Sequence, residues 1–271
     1  FAARARTEEA AAEGIARMRF ALGVDDDLRE FHDRFRDDPV IGKAVRAHPA
    51  LRVRRRPMPW EALLAAVCEQ LIEFERAAAI QRRLIAALVP RCPDSGLRDM
   101  PSAAAVAALA PARLTSFDLA PARALSLRRA AIEVASGRAD LEGAVGATRE
   151  SGRAEAVARR LRAIAGIGPW TVEMLAFHGL GRHDVIAAGD LGFIKMVGSL
   201  LTGNPRARAE VEEVREFFAP YGEFKGLAGE YLRVAYSRGL VDISRRPRAL
   251  APAPRPAGTR WSARAPHPAA A

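Results

Sequence analysis

Apolar residues recur along this chain at spacings of three and four. Phe74, Ala77, Ile80, Leu84, Ile85 and Leu88 make one such stripe, predicting a helix from about Glu73 to Val89. From Trp60, Leu63, Leu64, Val67 and Cys68 predict a strongly apolar helix before it. Further helices are expected over residues 1–20, ending near Gly23, from Asp25-Asp26-Asp27 as caps through Phe35, and from Asp38-Pro39 through Val45. Pro101-Ser102 and Ala120-Pro121 open two more, the second reaching Gly137, and residues 151–163, 169–180, 191–201, 205–219 and 226–239 complete the series. Arg52-Val53-Arg54-Arg55-Arg56-Pro57 reads as a basic linker. No alternating pattern of strand length interrupts these periods, so the chain is expected to be all-α.

Between the helices predicted at 151–163 and 169–180 lies Ala165-Gly166-Ile167-Gly168. Glycines permit a sharp turn, and Pro169 suits the first position of the next helix, where its missing N–H is not needed. The unbonded N–H groups at that helix start, with its dipole, form a site for an anion. Leu161, Ile164 and Thr171 supply the apolar residues and first-turn hydroxyl that such a helix-hairpin-helix uses. It fits a nucleic-acid backbone held without base reading. About twenty residues on, Asp190 opens another helix. Aspartate is a good N-cap, and a cap carboxylate is held by N–H groups and the helix dipole, so a capping role and a chemical one are compatible.

Composition narrows the partner. The 271 residues carry 42 Lys and Arg against 32 Asp and Glu, a formal charge of +10, which favours polyanions. From Arg245 onward six arginines stand among Pro and Ala with no acid, and residues 243–271 are expected to form a disordered basic tail. Two cysteines, Cys68 and Cys92, exclude a disulfide framework and a four-cysteine cluster and fit a reducing compartment. No stretch is apolar enough for a membrane span. The five histidines show no metal-ligand spacing. The chain begins Phe1-Ala2-Ala3 without methionine, so an upstream region is expected to be missing.

Residues 38–240, most specifically Ala165 to Thr171 and Gly189-Asp190-Leu191, resemble the 3-methyladenine DNA glycosylase II family of the helix-hairpin-helix DNA glycosylases. Softer matches are Asp38-Pro39-Val40-Ile41, Glu69-Gln70-Leu71-Ile72 and Pro101 to Leu141. The resemblance implies a two-subdomain helical bundle over residues 38–242, with a cleft between the subdomains and Asp190 at its base. Residues 1–37 would be an N-terminal helical segment. It implies excision of alkylated purines of the 3-methyladenine and 7-methylguanine type by hydrolysis of the N-glycosidic bond, in bacterial base excision repair. Asp190 would be the catalytic group. Trp170, Met174, Tyr221 and Phe224 would line the base pocket. Gln70, Leu71, Gly166, Ile167, Gly168 and Thr171 would meet DNA, Leu71 as the wedge that fills the gap left by the flipped nucleotide.

Strand-cutting relatives carry a Schiff-base lysine where this chain has Trp170, and Lys195 is a poor substitute, so no lyase activity is expected. The partner is double-stranded DNA, the expected state a monomer in the cytoplasm, near the nucleoid. No cofactor is implied beyond a monovalent cation at the main-chain carbonyls of Ile164 and Ile167. The chain departs from the family pattern at Met174 for tyrosine, Phe224 for tryptophan, Glu69 for a small residue and Ala165 for proline, which puts substrate preference in doubt. Two rival readings remain open: action on another damaged base such as hypoxanthine, and a DNA-binding protein without catalysis.

Overall fold

A computed structural model describes residues 1–147 and 151–241. The tail expected at 243–271 lies outside them. Among the described residues there is no strand, and no helix is long and apolar enough to cross a membrane. The described residues form thirteen α-helices in order: α1 (Glu8–Leu22), α2 (Arg29–Phe35), α3 (Gly42–Ala47), α4 (Pro59–Glu69), α5 (Phe74–Leu88), α6 (Ala103–Ala107), α7 (Pro111–Thr115), α8 (Pro121–Ala135), α9 (Arg153–Arg162), α10 (Pro169–His178), α11 (Leu191–Thr202), α12 (Val211–Phe218) and α13 (Lys225–Ser237).

Their ends follow local chemistry. Thr7 and Ser102 cap α1 and α6 through side-chain oxygens, and Gly23 closes α1 in the left-handed region. The acidic triplet behaves differently from expectation. Leu28 sits at the N-cap of α2, Asp27 accepts the N–H of Arg29, and Asp26 is drawn away by Arg55. The helix expected from 205 begins only at Val211, where Glu210 and Glu213 form a capping box.

The helices bury two cores. One gathers Leu63, Leu64, Ile80, Leu84, Leu114, Leu127, Leu161 and Leu175 from α4 to α10. The other joins the two ends of the described chain: Phe31, Phe35, Ile41 and Val53 pack with Phe193, Phe218, Tyr221 and Tyr231. Residues 28–35, placed by sequence in a separate segment, therefore share a core with the C-terminal helices. Phe31 is fully buried, stacked on Tyr231 with centroids 5.1 Å apart. Helix α10 serves both, giving Val172 and Leu175 to the first core and Phe177 to the second.

The basic stretch at 52–56 is pinned rather than loose. Arg55 donates its backbone N–H to Ala21 and Arg56 to His178, while His178 Nδ1 lies 3.0 Å from the Arg54 carbonyl. Extended backbone alternates, so Val53 and Arg55 turn inward and Arg54 outward. Arg55 pays for its burial through Asp26, the Phe20 carbonyl and the Phe20 ring.

Phe31→Ala should lower the unfolding free energy of the whole transition by about 3–5 kcal/mol in a denaturant titration. A separately folding N-terminal segment would leave the main transition unmoved.

Candidate active site

The hairpin between α9 and α10 is set by one glycine more than the other. Gly166 has φ +86°, and a Cβ there would fall 2.4 Å from Ser126 Oγ, which donates to the Ala165 carbonyl at 2.7 Å. Gly168 is the N-cap of α10 in extended backbone, and a Cβ there would meet nothing within 4 Å. Its side faces open space, as a surface approached by a ligand backbone does. The N–H groups of Gly168, Trp170 and Thr171, at the start of α10, have no acceptor within the helix and are available to an anion.

Gln70, at the C-cap of α4, ties this hairpin to the α4–α5 loop. Its amide donates to the Gly166 carbonyl at 2.9 Å and to Thr171 Oγ1 at 2.8 Å. Thr171 is therefore buried, and its hydroxyl serves the fold; what it can offer a ligand is its N–H. The next residue, Leu71, adopts φ +54° and is fully exposed. A left-handed leucine with no packing costs about 1–2 kcal/mol, and such outliers gather at functional positions. Phe74 joins it at the surface, 69% exposed, leaving the apolar stripe expected of α5 because the first turn of that helix opens on the cleft.

Asp190 caps α11. Its Oδ1 accepts N–H bonds from Gly192 at 2.8 Å and Phe193 at 3.4 Å, and Arg233 Nη2 of α13 at 3.1 Å. The guanidinium lies over the Phe193 ring, 4.1 Å from its centroid. A Cβ at position 192 would sit 2.8 Å from Asp190 Oδ1 and 2.9 Å from Arg233 Nη1, so glycine there is what lets the pair meet. All these bonds fall on Oδ1. Trp170, half-buried, packs beside Gly189.

Trp170, Met174 and His178 share a face of α10 at intervals of four. Met174 and His178 line a cavity of about 420 Å³ with Ala62, Glu69, Phe74 and Arg54 to Arg56. Burial raises the Glu69 carboxyl above the ordinary range, nearby Arg56 and Gln81 oppose this, and the charge of Asp190 adds to it. Burial lowers the pKa of His178 below its ordinary value.

Tyr221 and Phe224, expected in the base pocket, do not line this cavity. Tyr221 is buried with its hydroxyl on Asp38, and Phe224 packs against Phe31 and Phe35. Helix α2 claims both rings. In their place stand Glu69, Arg56, His178 and Phe74, of which only the i, i+4 spacing of His178 from Met174 was readable in advance. Arg233 gave no local signal. Of the two carbonyls expected to hold a cation, that of Ile164 already accepts the Ile167 N–H at 3.0 Å, so a cation would share that oxygen.

A helix-hairpin-helix with a capping aspartate about twenty residues on, in a two-core helical body, decides the comparison with known proteins. The fold matches a 3-methyladenine DNA glycosylase from Archaeoglobus fulgidus with a TM-score of 0.70 at 21% identity, over 86% of this chain and 77% of that one. The likeness shows that the chain has the helical fold of this DNA glycosylase. An 8-oxoguanine glycosylase/lyase from Clostridium acetobutylicum has a similar fold, with a TM-score of 0.66 at 16% identity over 82% of this chain and 74% of that one. Among curated sequences, a DNA-3-methyladenine glycosylase of Bacillus subtilis is 25% identical over 79% of this chain and 69% of its own length. A probable bifunctional transcriptional activator/DNA repair enzyme AlkA of Mycobacterium tuberculosis is 30% identical over 64% of this chain. The chain spans about a third, 31%, of that mycobacterial relative. No family model matches.

The hairpin's two glycines should separate in a thermal melt. Gly166→Ala should cost at least about 1–2 kcal/mol, whereas Gly168→Ala should leave the midpoint nearly unchanged. Equal losses would mean that Gly168 also serves the fold.

Proposed function

We propose that this protein is a monofunctional DNA glycosylase that extrudes alkylated purines, of the 3-methyladenine and 7-methylguanine type, from duplex DNA and hydrolyses their N-glycosidic bonds. The observation that carries this reading is Asp190: a carboxylate fixed through one oxygen, with Trp170 beside it and an anion-binding helix start on the same α10. The names of the relatives point the same way.

The chemistry follows from the geometry. Breaking the bond between C1′ and the base nitrogen leaves the bonding pair on the base and positive charge on the sugar. Asp190 Oδ2, which takes no part in the capping bonds, faces that charge and orients water toward C1′; the water oxygen bonds C1′ and its proton leaves through the carboxylate. Alkylation at a ring nitrogen makes the base cationic before cleavage, hence a good leaving group. The products are a free base and an abasic site. Gly168, Trp170 and Thr171 N–H groups hold a phosphate, and Leu71 enters the gap left by the extruded nucleotide. With Trp170 at the position of the Schiff-base lysine, no amine is set against the sugar.

Asp190→Asn should reduce single-turnover release of methylpurines by about 10²-fold or more while DNA affinity holds; equal rates would remove Asp190 from the chemistry. Leu71→Ala should slow base extrusion, read in the same assay with a fluorescent base analogue, without lowering thermal stability. Borohydride should trap no covalent adduct with abasic DNA, and a trapped adduct would assign a lyase.

A further inference from the structure

The 420 Å³ cavity holds more polar chemistry than stacking of a base requires. Ala62, Ala65, Ala66 and Glu69 follow one face of α4, so three methyl groups form an apolar floor that ends in a carboxylate. Arg56 reaches the same space from the pinned segment at 52–56. Its N–H bond to the His178 carbonyl, at 2.8 Å, fixes where the side chain starts. Among the described residues Arg56 and Glu69 make no ion pair with each other, and Arg56 has no side-chain hydrogen bond. They are nonetheless near enough for the charge of Arg56 to act on Glu69. An acceptor and a donor thus line one cavity with Met174, and the Glu69 carboxylate, already hydrogen-bonded with Gln81, keeps acceptor capacity for a ligand.

Purine edges differ in the pattern they offer such a pair. A guanine-type base presents, in order, the O6 acceptor, the N1–H donor and the exocyclic N2–H₂ donor. A carboxylate accepts from both donors at once while a guanidinium donates to O6. An adenine-type base instead turns a lone pair at N1 toward the carboxylate, which repels it. We infer that Glu69 and Arg56 read the Watson–Crick edge of the extruded base and favour 6-oxopurines, 7-methylguanine foremost, over 6-aminopurines such as 3-methyladenine. This rests on the glycosylase reading and adds to it a discrimination between two of its substrates. Arg56 gives its directional bond to a carbonyl that only the 6-oxopurine carries, whereas the negative charge of Glu69 serves either cationic base alike. A flipped base is read through its Watson–Crick edge in other base-extruding enzymes. A site built to bind a substrate N–H discriminates strongly against an analogue without it, because its polar groups are left unpaired.

The test uses duplex DNA treated with a methylating agent, which carries both bases and makes them compete for one enzyme. Released 7-methylguanine and 3-methyladenine are quantified together, corrected for their abundance in the DNA and for an enzyme-free blank. Their ratio does not depend on how much of a variant is folded. Glu69→Gln keeps the shape but points an amide donor at N1–H or N2–H₂, and should shift the ratio at least ~10-fold toward 3-methyladenine. Arg56→Gln should shift it in the same direction, by less. Single-hypoxanthine duplexes should lose cleavage in parallel with 7-methylguanine in both variants. A ratio unchanged by Glu69→Gln overturns the assignment, as does a shift toward 7-methylguanine. Release of neither base by the unsubstituted protein would overturn the glycosylase reading itself, a result distinct from an unmoved ratio.

Discussion

The site depends on a single side-chain amide. Gln70 donates to the Gly166 carbonyl and to Thr171 Oγ1, and so joins the turn after α4 to the hairpin before α10. Two ligand-facing features are thereby set relative to each other: the free N–H groups at the start of α10 and the exposed, left-handed Leu71. One amide hydrogen bond is worth about 1 kcal/mol net. Its value here lies in registration, because an anion anchor and an apolar plug act on the same chain only if their separation is fixed.

The two cores give the cleft its walls. The first is built from a continuous run of chain, the second from both ends of the described chain, and α10 contributes to each. Trp170, Met174 and His178 are presented on the face of this shared helix that neither core takes. The pinned segment at 52–56 closes one side of the resulting cavity, held by backbone bonds to Ala21 and His178. A stretch rich in arginine becomes a wall because it is held in place: Val53 packs in the second core, Arg55 is neutralised by Asp26, and Arg54 to Arg56 line the cavity.

Asp190 illustrates how a capping residue acquires a second use. The helix N–H groups of Gly192 and Phe193 and the guanidinium of Arg233 all converge on one carboxylate oxygen. The absence of a side chain at Gly192 is what makes room for the guanidinium, and the Phe193 ring supports it from below. The other oxygen is left oriented yet uncommitted, the condition for preorganised electrostatic stabilisation.

Local rules carried most of the helices, the hairpin and the capping role of Asp190, because 3.6-residue periodicity, glycine at positive φ, proline at the first helical turn and an N-cap aspartate act over a few residues. The chain itself therefore determined the all-helical character and the anion-binding turn. What tertiary structure alone decided were pairings across long separations. Gln70 meets Thr171, and Asp190 meets Arg233. Phe31 holds the Phe224 ring against the second core, and neither Phe224 nor Tyr221 lines the cavity beside Met174. Phe74 kept the spacing of a core residue but not the burial, since periodicity identifies a face of a helix and not what covers it. Glu69 and Arg56 looked like a local departure and a linker charge; only the folding of α4, α10 and the segment at 52–56 around one cavity brings them together.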